Sequence, residues 1–280
     1  MSGIAEKSRN RLRAEILAIL AIIALVVSSA GCKQSRVLAP SASGKPYIRS
    51  LEQIESIAVW IVNGQYVREN LDEEFTNFGQ HYRFHFIPIH EFWLDQQHAP
   101  GEEQFFIDHL LVEYKLMRAG MDYDRAIDRA DIAEKAERAK TVLAQQGEAL
   151  IKSGQNSKLI AKIHKELLNE FGSAAKVWVV DGELVRDLFF IDFTEGGHDK
   201  VYKFIPDGEI WIDDDVIPEE RRFILLHEMH ERYLMSQGWN YSKAHKDSSR
   251  IEFRCRLHPQ NLDAALGEEI QKNRQIPATH

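Results

Sequence analysis

Cysteine is scarce: the 280 residues contain two, Cys32 and Cys255. Such a pair builds no disulfide framework and no Cys-rich zinc module. No Gly-rich phosphate loop and no nucleophile elbow occur, so those two routes to chemistry have no carrier. Positive charge is in deficit. Lys and Arg total 35 against 43 Asp and Glu, a net charge of −8. That balance argues against a nucleic-acid partner, whose phosphates need a basic face. The apolar run from Ile16 to Val27 is 12 residues, short of the ~20 that span a bilayer. What remains is ordinary globular material, 44% apolar and 28% charged, long enough for two modest domains.

The N-terminus departs from that pattern. Lys7, Arg9, Arg11 and Arg13 precede the apolar run, and Ser28, Ser29, Ala30, Gly31 and Cys32 follow it. A basic start, a short apolar core and a small-residue exit form a secretory signal. The Ala-Gly-Cys ending resembles the lipobox of bacterial lipoproteins. That resemblance implies removal of residues 1–31, a lipid on Cys32 and a place in the bacterial cell envelope, held to a membrane. An uncleaved anchor extended through Ser28–Gly31 is the alternative. Loss of residues 1–31 removes four basic and two acidic residues and takes the charge from −8 to −10. Residues 32–46, rich in Ser, Pro and Ala, read as a flexible tether.

A constant shift of 118 positions lays one half of the chain on the other without a gap. Val59-Trp60-Ile61-Val62-Asn63-Gly64 meets Val177-Trp178-Val179-Val180-Asp181-Gly182. Trp93 and Asp95 meet Trp211 and Asp213. His109, Glu113, Gly120, Glu134 and Arg138 meet His227, Glu231, Gly238, Glu252 and Arg256. The pattern predicts an α+β protein made of two tandem copies of a small antiparallel sheet followed by an αα-hairpin. The copies are expected at 47–138 and 176–260. A helical linker at 139–175, broken near Gly154, joins them, and a tail occupies 261–280.

Within the second copy, Asp181-Gly182 reads as a hairpin turn between strands at 176–180 and 183–187. Residues 188–194, 200–205 and 209–213 read as further strands, the last alternating Ile210 and Ile212 with Trp211. Pro218 opens a helix that Gly238 ends, and Asn240 caps a second helix to about Leu257. The four recurring Trp are expected in the core.

The first of these helices carries His227-Glu228-Met229-His230-Glu231. His227 and Glu231 are four apart and project from one face, so both can grip one ion, with Glu228 beside them to polarise a water. The stretch resembles the His-Glu-x-x-His helix of the zincin metallopeptidases, with Glu231 in place of the second His. The resemblance covers about residues 200–256 and implies a zincin-like fold, a divalent cation such as Zn²⁺, and Glu228 as general base. A peptide or amide substrate would lie along 209–213. The third ligand falls on the next helix, at His245 or Glu252. His245 is favoured because the first copy has Leu110, Val112 and Ile127 where the second has Glu228, His230 and His245, as a copy stripped of its ion would. His230 is a neighbouring or alternative ligand. The rival reading is a non-catalytic envelope lipoprotein that uses a degenerate zincin-like scaffold to bind a partner. It draws on the first copy, where the His109–Glu113 pair persists as a plain helical brace.

Overall fold

The computed structural model describes residues 46–168, 171 and 174–277. The expected signal segment, Cys32 and the expected tether up to residue 45 lie outside the described residues. No described helix is long and apolar enough to cross a membrane.

The first half runs β1 (Tyr47–Ile54), β2 (Ile57–Val62), α1 (Gly64–Asn70), β3 (Phe78–Gln80), β4 (Glu91–Asp95), α2 (Glu103–Arg118) and α3 (Tyr123–Arg138). Two helices follow, α4 (Val142–Lys152) and α5 (Asn156–Ile163). The second half runs β5 (His164–Leu168), β6 (Lys176–Val180), α6 (Gly182–Leu188), β7 (Gly196–His198), β8 (Glu209–Asp213), α7 (Pro218–Ser236), α8 (Tyr241–Leu257) and α9 (Leu262–Asn273). The protein is therefore α+β, with two four-stranded sheets ordered β1-β2-β4-β3 and β5-β6-β8-β7. Both sheets are mixed rather than antiparallel. Their central pairs are parallel, with Trp60 opposite Trp93 and Trp178 opposite Trp211, and the outer strands are antiparallel.

The expected hairpin at Asp181-Gly182 is a helix start. Asp181 caps α6 through Leu184 N, as Asn63 caps α1 through Tyr66 N. Asx-Gly serves a tight turn and a helix N-cap equally well. The glycine is required here by close approach: a Cβ on Gly182 would sit 2.2 Å from the Asp213 carboxylate. A helix after β6 carries the chain across the sheet, so its next central strand pairs in parallel.

Of the strands expected at 188–194 and 200–205, Leu188 ends α6 and the rest form turns and loops. Their β-type residues serve packing, since Phe193 and Ile205 are buried against Trp211. The stretch expected as linker also supplies β5, the outer strand of the second sheet. An edge strand facing solvent carries no clear alternation to read. The expected tail contains α9, which packs on α7 through Leu262 and Leu266.

Alternation on β8 sorts the second core as expected. Ile210 and Ile212 face Ile224, Leu225 and Met229 of α7, while Trp211 faces Leu159, Leu184 and Val185 on the other side. Between the halves runs a buried ionic network with an exchange pattern. Arg186 grips Glu102 of the first half at 2.6 and 2.9 Å. Arg68, its equivalent 118 residues earlier, reaches Glu195 at 3.2 Å and Glu220 at 3.5 Å in the second half. Each arginine also pairs with the aspartate ending its own β4 or β8, Asp95 or Asp213.

Candidate metal centre

Two adjacent helices build the site. Pro218 stands at the first turn of α7, beside Glu219 and Glu220, where the dipole favours acids. Gly238, at φ +89°, closes that helix. Asn240 caps α8 by accepting from Lys243 N at 3.0 Å. The short turn makes the helices antiparallel neighbours, and His227 and Glu231 on α7 then face His245 on α8.

Three atoms converge there. His227 Nε2 lies 3.1 Å from His245 Nδ1. Glu231 Oε2 lies 3.0 Å from His245 Nδ1 and 3.7 Å from His227 Nε2. Ligand atoms about 2.1 Å from a tetrahedral ion stand about 3.4 Å from one another, so these edges are those of one face of such a site.

The outer ring nitrogens are also engaged. His227 Nδ1 faces Glu252 Oε2 at 2.9 Å, and His245 Nε2 faces Glu74 Oε2 of the first half at 3.7 Å. An N–H donated outward leaves each inner nitrogen as a lone pair, the arrangement usual for metal-binding imidazoles. With that tautomer, two lone pairs and a carboxylate oxygen point at one spot, which a proton or a cation between them would satisfy. The ring basicities reflect the carboxylates around them. Burial pushes His227 down, but the Glu231 and Glu252 carboxylates outweigh it and hold its pKa well above the ordinary range. The Glu231 and Glu74 carboxylates lift His245 to about 9. Burial raises Glu231, yet bonds from His198, His227 and His245 bring it far below a usual carboxylate.

Of the two α8 candidates, His245 joins the converging set. Glu252 sits on the far nitrogen of His227 and is held by Arg256 Nε at 2.9 Å, so it orients the ring rather than completing the set. The first half repeats this brace: His109 Nδ1 faces Glu134 Oε2 at 2.9 Å and Arg138 Nε donates to Glu134 Oε1 at 2.8 Å. His230 departs from expectation. Its ring lies between Asp247, at 3.1 Å, and Glu269, at 2.9 Å, and ties α7 to α8 and α9. Cys255 is buried in the core, where burial raises its thiol pKa and the group is a small apolar filler.

Glu228 is 8% exposed, and burial pushes its carboxyl up to about 8. Neither hydrogen bond nor ion pair ties it down among the described residues. Gly196 on β7 makes room above it: a Cβ there would meet Ile224 at 2.9 Å and Glu228 at 3.3 Å. The first half has Phe78 at this position, its ring 4.9 Å from that of His109. The strand beside Glu228 is thus β7, an outer strand, whereas β8, expected to carry substrate, is paired on both sides.

His227, Glu228, Glu231 and His245 line one wall of a cavity of about 500 Å³ between the halves, and His109 and Leu110 line another. Glu74 and His198, which touch ligand candidates, escaped sequence reading. For His198 the substitution at the matched position was a signal, since Gln80 stands there in the first half; Glu74 matches another acid, Asp192, and gave none. Asp213, Asp214 and Asp215 also cluster closely enough to hold an ion, but Arg186 already neutralises Asp213 and Asp215.

Compared with family models, curated proteins and solved structures, the chain matches none.

Proposed function

We propose that this protein is a zincin-like, metal-dependent hydrolase of peptide or amide bonds, held to a bacterial envelope membrane by a lipid on Cys32. The observation that carries the reading is the convergence of His227 Nε2, Glu231 Oε2 and His245 Nδ1 at the spacing of one tetrahedral face. Their donor chemistry, two imidazoles and one carboxylate with a carboxylate behind each ring, fits zinc. A divalent cation there would polarise a carbonyl and acidify a water. Glu228 adjoins that point with an untied carboxyl that burial keeps protonated; a cation beside it would favour its ionised form, which would then take the proton of the attacking water. The cavity, about 500 Å³, is large enough for a substrate side chain.

Duplication accounts for the inert wall. The halves share strand order, central register and the His–Glu–Arg brace. The first would be a copy that filled its site with Leu110, Ile127 and Phe78. That same brace, present without a ligand set, favours the second reading, a scaffold that binds a partner and does no chemistry.

Elemental analysis of the full chain, purified in detergent without a tag, separates the readings. One zinc or similar ion per chain is expected. Glu228→Gln should retain the ion and lose hydrolysis of a peptide library. A metal-free chain, or hydrolysis unchanged in Glu228→Gln, refutes the enzyme.

A further inference from the structure

His198, Glu228 and Glu231 form a second group of possible ligands, with atoms within 4.8 Å of one another. It shares Glu231 with the first group. Taken by distance alone, the pair of groups describes two ions bridged by one carboxylate. Hydrogen bonding at His198 argues otherwise.

We propose that His198 is a positioning residue, a hydrogen-bond donor of fixed tautomer that aims the Glu231 carboxylate, and that the centre holds one ion. This rests on the metal reading above. Lys200 N–H donates to His198 Nδ1 at 3.1 Å. A neutral ring accepting there carries its proton on Nε2. Nε2 faces Glu231 Oε1 at 3.1 Å, so that proton is donated to the carboxylate and no lone pair remains to meet an ion. With Oε1 held, Oε2 is left directed at His227 and His245.

The first half contains the control. Gln80 occupies the position of His198, in the same short outer strand. Tyr82 N–H, the equivalent of Lys200 N–H, donates to Gln80 Oε1 at 2.7 Å. Gln80 Nε2 donates to Glu113 Oε1 at 2.6 Å, and Glu113 is the equivalent of Glu231. An amide nitrogen is a donor only. The imidazole of His198 therefore reproduces, atom for atom, an acceptor on the backbone side and a donor on the carboxylate side.

The test uses the full chain in detergent and zinc alone as probe. Loss of a hydrogen bond that orients a ligand costs about 10–100-fold in metal affinity. His198→Ala should lose that much, and His198→Gln should recover most of it, with one zinc per chain throughout. Two zinc ions in the wild type, or a Gln variant as weak as the Ala variant, overturns the assignment. The nitrogen-15 spectrum of metal-free protein at neutral pH gives an independent reading. Nε2–H at His198 supports the proposal and Nδ1–H overturns it. If the chain takes up no zinc, the hydrolase reading fails on its own, and the spectrum still decides the role of His198.

Discussion

His227 Nε2 and His245 Nδ1 stand 3.1 Å apart on neighbouring antiparallel helices, although 18 residues separate them in the chain. Each ring has a carboxylate on its outer nitrogen. A proton on one inner nitrogen or a cation between the two would each satisfy this contact, and the metal reading takes the second. His245→Ile isolates this contact, because the first half carries Ile127 at the matching position and packs it without difficulty. Zinc affinity should fall by at least about a hundredfold, more than an outer-carboxylate loss costs. The far-ultraviolet spectrum should be unchanged. Calorimetric titration of both forms measures it, and equal affinities would remove His245 from the centre.

Glu74 tests whether the first half contributes to the site of the second. It faces His245 Nε2 at 3.7 Å, and that imidazole is the first cause of its lowered pKa. Its side chain is 44% exposed, so Glu74→Gln should fold normally. The amide keeps an acceptor oxygen but loses the charge that makes the imidazole a better donor of electrons. An affinity loss near the low end of about 10–100-fold is expected. Competition with a chromogenic chelator reads it directly.

How far the site was legible follows from how local each signal is. His227, Glu228 and Glu231 lie within five positions on one helix, where period 3.6 aligns His227 with Glu231 and the zincin resemblance picks out Glu228 beside them. The Gly238 stop and the Asn240 cap place the second helix, but they leave His245 and Glu252 both in reach, and His245 is preferred only because the first copy has Ile127 there. Glu252 was readable as a neighbour of His227, but which ring nitrogen it meets depends on rotamers. His198 and Glu74 come from a three-residue strand and a loop, and no spacing rule reaches across 33 residues or between halves. The fold divides the same way. β8 and α7 were clear, whereas the parallel centre of each sheet hinged on Asp181-Gly182 being a cap, and an Asx-Gly pair looks alike in both roles.

Asp131 supplies a pH prediction independent of any ion. Burial, then the charge of Asp192, raise its carboxyl to about 7, while His109, 3.6 Å away, opposes the shift. Its Oδ1 is buried without a hydrogen bond. A carboxyl with a raised folded-state pKa binds more protons folded than unfolded between about pH 4 and 7, so its contribution to stability is lost as pH rises through that window. Asp131→Asn removes the dependence. The variant should melt at a higher temperature than the wild type at pH 8 and near it at pH 4. A uniform shift at both pH values would disprove the titration.

Glu102 and Glu220 occupy matched positions, yet their losses should differ. Glu102 is fully buried and accepts from two guanidinium groups. Arg186 forks onto it at 2.6 and 2.9 Å from the second half, and Arg138 reaches it at 2.8 Å. Glu220 has one such contact, Arg256 at 2.7 Å, while Arg68 stands off at 3.5 Å and Oε1 has no partner. Removing one partner of a buried ion pair costs about 3–5 kcal/mol, because the charge left behind is uncompensated. Glu102→Ala takes one carboxylate from two guanidinium groups at once and breaks the fork that joins the halves, so it should fall within that range even though Arg138 keeps Glu134 and Asp187 and Arg186 keeps Asp213 and Asp215. Glu220→Ala should fall below it, since Arg68 retains Asp95 and Glu195. Both effects should survive 0.5 M salt, because screening acts weakly on pairs without solvent. Urea denaturation of the three proteins ranks them, and a larger loss for Glu220→Ala would mean that the fork to Arg186 is not what joins the halves.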